Sequence, residues 1–333
     1  MGCEVPFLET KNKRFSLKKG DKCLKCNSNA KVLLPYGPQK FCEKHFVQLI
    51  EKRFRRTVRK YSLIKKDEHL VVAVSGGKDS AVLLYLTKKY FGKSNNITAL
   101  LIDEGISGYR DKALRVAIRN CKSWGIPFKY VRFIDEFGFT MNKIKKRMEK
   151  TKLNFGSPCS ICGTLRRNIM NKYAKILGAD KLLTGHNLDD ELQSILMNAC
   201  DNDFLRFFRS GPVSGVKPIS GFVQRVKPIC EIPEVEIFLY AGYAGIDFYS
   251  GSCCPFREHA KRNTYRKLLN ELERSHPGTK FSLWNFYIKL REKFLTTRTI
   301  SDFELNYCQK CGEPSAGTLC DACKKIEFLK INK

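Results

Sequence analysis

Four apolar residues, Val71-Val72-Ala73-Val74, run straight into Ser75-Gly76-Gly77-Lys78-Asp79-Ser80, and no other junction constrains the chain so tightly. An unbroken, largely β-branched run is what a strand covered on both faces looks like, and such strands belong to parallel sheets flanked by helices. Gly76 and Gly77 supply a sharp turn and let backbone N–H groups come close to a ligand. The run that follows, Ala81-Val82-Leu83-Leu84-Tyr85-Leu86, suits a helix whose positive dipole end faces that turn, with Lys78 as an added mobile charge. A Walker A loop needs glycine five positions before Gly77, where Val72 stands, so the junction is a different phosphate cradle, suited to ATP.

The chain has 333 residues, enough for a full α/β core with smaller modules attached. Lys and Arg outnumber Asp and Glu by 61 to 33, and a formal charge of +28 points to a polyanion partner, nucleic acid first. No apolar run approaches the roughly 20 residues of a spanning helix, and the N-terminus lacks a signal-peptide core, so the expectation is a cytoplasmic protein without a membrane role. Eleven of the fifteen cysteines fall in pairs or clusters with metal-ligand spacing, which favours metals in a reducing compartment over disulfides.

The fold class expected is a doubly wound parallel α/β sheet with a cysteine module at each end. The domain division expected is an N-terminal zinc module over 1–50, a catalytic domain with its linker helix over 51–300, and a C-terminal zinc ribbon over 301–333. Phe46, Ile50, Phe54, Val58 and Tyr61 recur at helical spacing among Lys and Arg, which predicts a basic amphipathic helix within 46–64. Strands are expected near 70–74, 97–102, 128–133 and 180–184, and helices near 79–91, 108–124, 163–178 and 188–200. Residues 223–250 read as a basic strand and a helix, 262–296 as largely helical, and 305–325 as the second cysteine module. In a doubly wound sheet ligands sit beyond the carboxyl ends of the strands, where Ser75, Asp103-Glu104-Gly105 and Gly185-His186-Asn187 all fall.

Cys23, Cys26, Cys42 and His45 offer three thiolates and an imidazole; Cys308, Cys311, Cys320 and Cys323 offer four thiolates. Each set closes a tetrahedral shell of the structural zinc type, giving two Zn²⁺ ions. Cys3 is left unassigned. Cys159-x-x-Cys162 has only two ligands nearby and needs a third thiolate, Cys253 or Cys254. Three thiolates around an iron-sulfur cluster would leave one iron without a protein ligand; from spacing alone a redox dithiol or a third zinc site ranks equally. Cys121, Cys200 and Cys230 read as buried small hydrophobes.

Taken with Asp103-Glu104-Gly105-Ile106-x-Gly108-Tyr109-Arg110, Cys159-x-x-Cys162-Gly163, Thr184-Gly185-His186-Asn187-x-Asp189-Asp190-Glu191 and Cys254-Pro255-Phe256, the loop at 75–80 makes the chain resemble the PP-loop tRNA 2-thiouridine synthetases of the TtuA type. The resemblance runs from about residue 20 to 325. It implies adenylation of C2 of a tRNA uridine by ATP, release of pyrophosphate, and displacement of AMP by sulfur. It also implies a [4Fe-4S] cluster on Cys159, Cys162 and Cys254, with Pro255 and Phe256 favouring Cys254 over Cys253, a ubiquitin-like sulfur-carrier protein ending in a thiocarboxylate, and a homodimer. Tyrosine is common where this chain has Phe256, and lysine is seen where it has Arg166; Arg166 is kept as a catalytic candidate, but a role specific to lysine is not carried over. The run His276-Pro277-Gly278-Thr279-Lys280 looks more like the enzymes acting at uridine 54 than those acting at 34.

Bottom-up chemistry supplies roles for these positions. Gly76, Gly77, Lys78 and Ser80 face departing pyrophosphate, and Asp79 helps hold Mg²⁺ or the loop. Asp190 orders magnesium or the uridine, while Asp189 caps its helix. Asp103 lines the ATP crevice, and His186 contacts nucleotide or serves as a hydrogen-bonded structural histidine. Arg209, Lys217, Arg225 and Lys227 are placed to grip RNA phosphates. Two other classes compete: a PP-loop ligase or amidating enzyme acting on a small molecule, and a non-catalytic zinc-containing RNA-binding protein.

Overall fold

The computed structural model describes residues 16–151, 157–215, 221–251, 254–257, 261–297, 306–315 and 317–331. Cys3, Lys217 and Cys253 lie outside them. The chain opens with a hairpin, β1 (Val32–Leu34) and β2 (Gln39–Phe41), and helix α1 (Glu43–Lys60). Phe46, Ile50, Phe54 and Val58 form the buried face of α1, as the spacing predicts. The helix stops short of Ile64 because Ser62 takes a left-handed conformation, φ +49°, and the N–H of Leu63 turns back onto the carbonyl of Val58 at 3.0 Å.

Five parallel strands follow: β3 (His69–Val74), β4 (Asn96–Asp103), β5 (Phe128–Arg132), β6 (Lys181–Thr184) and β7 (Gln224–Val226). Their order across the sheet is β5-β4-β3-β6-β7. Val72 pairs with Ala99 on one side and Leu183 on the other. The chain builds outward from β3 in one direction and then, from β6, in the other, which makes the carboxyl ends of β3 and β6 a topological switch point.

Alternate residues of each strand face opposite layers. Leu70, Val72 and Val74 pack with α1, α2 (Lys78–Phe91) and α9 (Glu234–Tyr243), whereas Val71, Leu100 and Ile102 pack with α6 (Pro158–Ile176). Both faces are covered, so the doubly wound arrangement expected from the strand pattern is the one observed. The remaining helices are α3 (Arg110–Ser123), α4 (Phe133–Phe137), α5 (Met141–Thr151), α7 (Leu188–Cys200), α8 (Phe204–Arg209), α10 (Arg262–Ser275), α11 (Thr279–Thr297) and α12 (Asp321–Ile331); β8 (Asn306–Tyr307) pairs with β9 (Pro314–Ser315).

Two differences from the sequence reading matter for the site. Helix α6 starts at Pro158 rather than at Gly163, because the Ser157 side chain accepts from the N–H of Ser160 and proline suits the first helical position. Cys159 and Cys162 therefore ride on its first turns instead of preceding it. Helices α4 and α5 also fill the stretch between β5 and α6 that periodicity left without elements. A smaller correction concerns Cys200, which is exposed at the end of α7, while Cys121 and Cys230 are buried as expected.

The segment that carries β7 is fastened to α7 by a buried ion pair, Lys227 to Glu191 at 2.8 Å, and the same carboxylate accepts from the N–H of Gly211 at 3.0 Å. Removing one partner strands the other charge away from water. Glu191→Ala is expected to lower the unfolding free energy by about 3–5 kcal/mol in urea titration; a loss below about 1 kcal/mol would mean that the Lys227 ammonium reaches solvent in the variant.

Candidate active site

The turn after β3 is shaped by steric necessity. Gly76 has φ +84°, and a Cβ there would lie 2.0 Å from the carbonyl oxygen of Ala113 on α3, so no other residue fits. Gly77 is the N-cap of α2, and no side chain caps it. The first N–H groups of α2 and its positive dipole end are thus available to an anion. The Ser80 hydroxyl is turned into the loop, accepting from the N–H of Ser75 at 3.1 Å and donating to the carbonyl of Gly77 at 3.0 Å. Its geometry stiffens the cradle.

Lys78 does not swing free. Its ammonium sits between Asp79 at 3.1 Å and Glu234 at 2.7 Å. Burial works against its charge, and the two carboxylates outweigh burial, so its pKa is raised. Asp79 is pushed the opposite way for a carboxylate: burial raises its pKa more than Lys78 lowers it. The Asn187 amide donates to Asp79 at 2.9 Å, tying the loop after β6 to that after β3. Gly185 permits the approach, since a Cβ there would stand 3.1 Å from the backbone of Asp79 and Ser80.

Asn187 and Asp190 form the capping box of α7, each accepting from the other's backbone N–H, at 2.9 and 3.3 Å. The expectation that Asp189 caps the helix is overturned. Asp189 is buried and instead accepts from the Lys280 ammonium at 2.5 Å and the N–H of Glu234 at 2.8 Å. The pKa of Asp190 is raised by burial and then by the charge of Asp79, with Arg262, 3.6 Å away, opposing. His186 shares a hydrogen bond of 2.9 Å with the hydroxyl of Thr184. Burial and the cations Lys227, Arg225, Arg262 and Arg166 hold its pKa well down, so the ring is neutral. Both oxygens of Asp103 are engaged, one by the N–H of Gly105 at 2.8 Å and one by the Tyr130 hydroxyl at 2.7 Å.

The adjoining thiols come from two segments. Cys159 and Cys162 sit on α6; Cys254 precedes the 3₁₀ turn Pro255–Arg257, and the Cys159 thiol donates to the carbonyl of Phe256 at 3.1 Å. Burial pushes all three thiols up, Cys162 to about 12, with Glu104 adding to the effect at Cys162 and at Cys254. A bound metal would reverse that balance by stabilising the thiolates. Unlike the two quartets described next, these sulfurs do not all lie within 4.8 Å of one another, and three thiolates without a fourth protein ligand fit an iron-sulfur cluster that keeps one iron open.

The two terminal sets converge tightly. The ligand atoms of Cys23, Cys26, Cys42 and His45 all lie within 4.8 Å of one another, and so do those of Cys308, Cys311, Cys320 and Cys323. Burial opposes ionisation of Cys23, but N–H groups of Cys42, Lys25 and Cys26 outweigh it and bring that thiol down to about 6. Cys308 is brought down to about 6 in the same way.

Several functional side chains escaped the sequence reading. Glu234 pins Lys78 and also pairs with Arg266 at 2.5 Å, and Arg262 reaches the Asp190 carbonyl at 3.2 Å. Glu104 and Arg110 stood in the quoted motif without a role. The buried Arg110 donates to the Ser75 carbonyl at 2.8 Å and pairs with Glu104 at 2.5 Å, whose other oxygen lies 3.5 Å from Arg166. Among the proposed phosphate grips, Arg209 is exposed, whereas Lys227 is consumed by Glu191. In the His276–Lys280 run, Lys280 turns inward to Asp189, while His276 to Thr279 line an open cleft of about 1000 Å³ with Tyr36, Arg53 and Phe281.

A parallel sheet with an uncapped, glycine-turned helix N-terminus at its switch point defines a PP-loop nucleotide-binding protein, and a PP-loop domain profile matches residues 44–272. The chain is 38% identical over 304 residues to the tRNA-5-methyluridine(54) 2-sulfurtransferase of Pyrococcus horikoshii, covering 91% of this chain and 93% of that one. It is 36% identical to the tRNA 2-thiolation protein NcsA of Haloferax volcanii, covering 92% and 99%. The solved U34-tRNA thiolase NcsA of Methanococcus maripaludis, with its [4Fe-4S] cluster, superposes with a TM-score of 0.76 at 30% identity, over 92% of this chain and 96% of that one. The chain belongs to the PP-loop family of tRNA 2-thiolation proteins.

Gly76→Ala forces α3 away from the loop and is expected to weaken ATP binding at least tenfold, about 1.4 kcal/mol, by isothermal titration. Unchanged affinity would show that the cradle does not depend on the close approach of Ala113.

Proposed function

We propose that this protein is an ATP-dependent tRNA uridine 2-sulfurtransferase. The observation that supports the reading is the chain of contacts from Ser75 through Arg110 and Glu104 to Arg166, which links the loop after β3 to the helix that bears Cys159 and Cys162. The C2 oxygen of the uridine attacks the α-phosphorus of ATP, pyrophosphate leaves, and sulfur then adds at C2 and expels AMP. The N–H groups at the start of α2 and the ammonium of Lys78 stabilise the departing pyrophosphate. Asp79 and Asp190 hold Mg²⁺, with Asn187 and Arg262 fixing their positions. Arg166 faces the charge that develops as sulfur approaches. Cys159, Cys162 and Cys254 hold a [4Fe-4S] cluster, which supplies an iron free of protein ligands as a soft site for sulfur.

The same reading assigns Zn²⁺ to each terminal quartet, on residues 1–50 and 301–333, around a catalytic domain over 51–300. Closed shells of soft ligands are structural sites. The resemblance supports a ubiquitin-like thiocarboxylate protein as sulfur donor, a homodimer, and uridine 54 ahead of 34. Among the described residues no helix is long and apolar enough to cross a membrane.

Anaerobically purified protein is expected to contain iron, sulfide and zinc, and to form 2-thiouridine in tRNA given ATP and sulfide, with nucleoside mass spectrometry and fragment mapping placing the base at 54. Cys159→Ala should lose at least a hundredfold in thiolation while keeping ATP affinity. Full activity in that variant would exclude the cluster from the reaction, and ATP turnover on a small acid without any thiolated nucleoside would favour a ligase.

Because burial raises the pKa of both Asp79 and Asp190, with Glu234 adding to the effect at Asp79 and Asp79 adding to it at Asp190, protons compete with the metal. With Asp190 raised to about 7, Mg²⁺ affinity in the ATP complex is expected to tighten as the pH rises toward 7, by up to about tenfold per unit, and to level off above it. A flat profile would place Mg²⁺ elsewhere.

A further inference from the structure

A second cationic site lies on the thiol side of the crevice. The edge strand β7 is held against α6 by Asn171, which donates to the carbonyl of Gly221 at 3.1 Å and accepts from the N–H of Val223 at 3.1 Å. That clamp sets Arg225 among the cations that follow Cys162 on α6, Arg166 and Arg167. From the other side α12 brings Lys325, whose ammonium donates to the Thr164 hydroxyl at 2.6 Å. Arg206 of α8 stands at the rim.

Most of these charges have an answer in the protein. Glu104 faces Arg166 at 3.5 Å, Asp203 pairs with Arg206 at 3.3 Å, and Asp321 acts on Arg167. Arg225 has none: its Nε is fully enclosed and, among the described residues, has no hydrogen-bond partner. A buried guanidinium N–H left without an acceptor costs stability, and folds keep such a group where a ligand supplies the acceptor. Burial and then the charges of Arg167 and Arg166 push Arg225 down to about 10. An anion placed among them relieves that effect.

We propose that Arg225 and Arg167, bordered by Arg166, Arg206 and Lys325, form a binding site for a phosphodiester of the tRNA backbone beside the reacting uridine. The inference rests on the thiolase reading and deepens it. ATP phosphates are served by the N-terminus of α2, whereas Arg166 and Arg167 follow Cys162 on α6 and act on its thiol, and Arg167 and Arg206 are open to a macromolecule. Guanidinium forks match phosphate oxygens in pairs, so the site orients the strand as well as attracting it. The net charge of +28 suits the same polyanion.

The test is binding of an unmodified tRNA transcript to cluster-loaded protein by fluorescence anisotropy across a salt series, with ATP affinity measured in parallel. The double variant Arg167→Gln, Arg225→Gln is expected to bind tRNA at least tenfold more weakly, to lower the log–log salt slope by about 0.7–0.9 per lost contact, and to keep ATP affinity. Arg225→Lys should retain most binding. The melting temperature of Arg225→Gln should hold or rise, since an unanswered charge is removed; Arg167→Gln, on an exposed helix face, tests the site independently should Arg225→Gln fold poorly. Wild-type-like tRNA affinity and slope in the double variant overturn the site while leaving the thiolase reading intact. A variant defect confined to turnover with a protein sulfur donor would assign the site to that donor instead and also overturn it. Wild-type protein that binds no tRNA overturns the thiolase reading and the ligand together.

Discussion

The buried guanidinium of Arg110 is the fastening on which the site depends. It donates to the Ile102 carbonyl at the end of β4 and to the Ser75 carbonyl at the end of β3, and it neutralises Glu104 in a region with little access to water. Parallel strands end in unpaired carbonyls that need donors, and one five-donor side chain serves two strands at once. Glu104 then orients Arg166 toward the thiols. Loss of Arg110 would leave both a buried carboxylate and two strand-end carbonyls without partners, and the nucleotide cradle would no longer be indexed to the sulfur site.

The opposite wall of the crevice is built by a parallel device. Asn187 caps α7 with Asp190 and holds Asp79 through its amide, while Asp189 anchors Lys280 of α11 and the N–H of Glu234, whose side chain holds Lys78. Successive residues of one helix turn thus point to different tasks: Asp190 toward the crevice, Asp189 into the packing between α7, α9 and α11. Helical geometry forces this division, because neighbours in sequence face about 100° apart.

Much of this was legible beforehand. The four strands and their following helices were readable because buried parallel strands are continuously apolar and because Gly76-Gly77 and Gly185 punctuate them. The terminal quartets were readable because ligand spacing is local. What was not legible depended on distant contacts. Glu234 is an ordinary acid after a proline until the fold sets it against Lys78, 156 residues away. Lys227 belonged to a basic segment by composition, and only the buried carboxylate of Glu191 removes it from the surface. Helix α6 begins five residues before Gly163 because the Ser157 side chain caps it and Pro158 suits its first position. Asp189 and Asp190 are adjacent and alike, so sequence could not tell cap from anchor; three-dimensional register decides.

The C-terminal module does more than sit at the edge. Ala322 and Leu329 of α12 join the apolar layer that includes Ile161 and Leu165 of α6, and Arg147 of α5 donates to the Leu329 carbonyl at 2.5 Å. The helix that bears Cys159 and Cys162 is therefore finished by a segment synthesised after every other described element. Loss of the fold around Cys308, Cys311, Cys320 and Cys323 would uncover the apolar side of α6 as well as release α12.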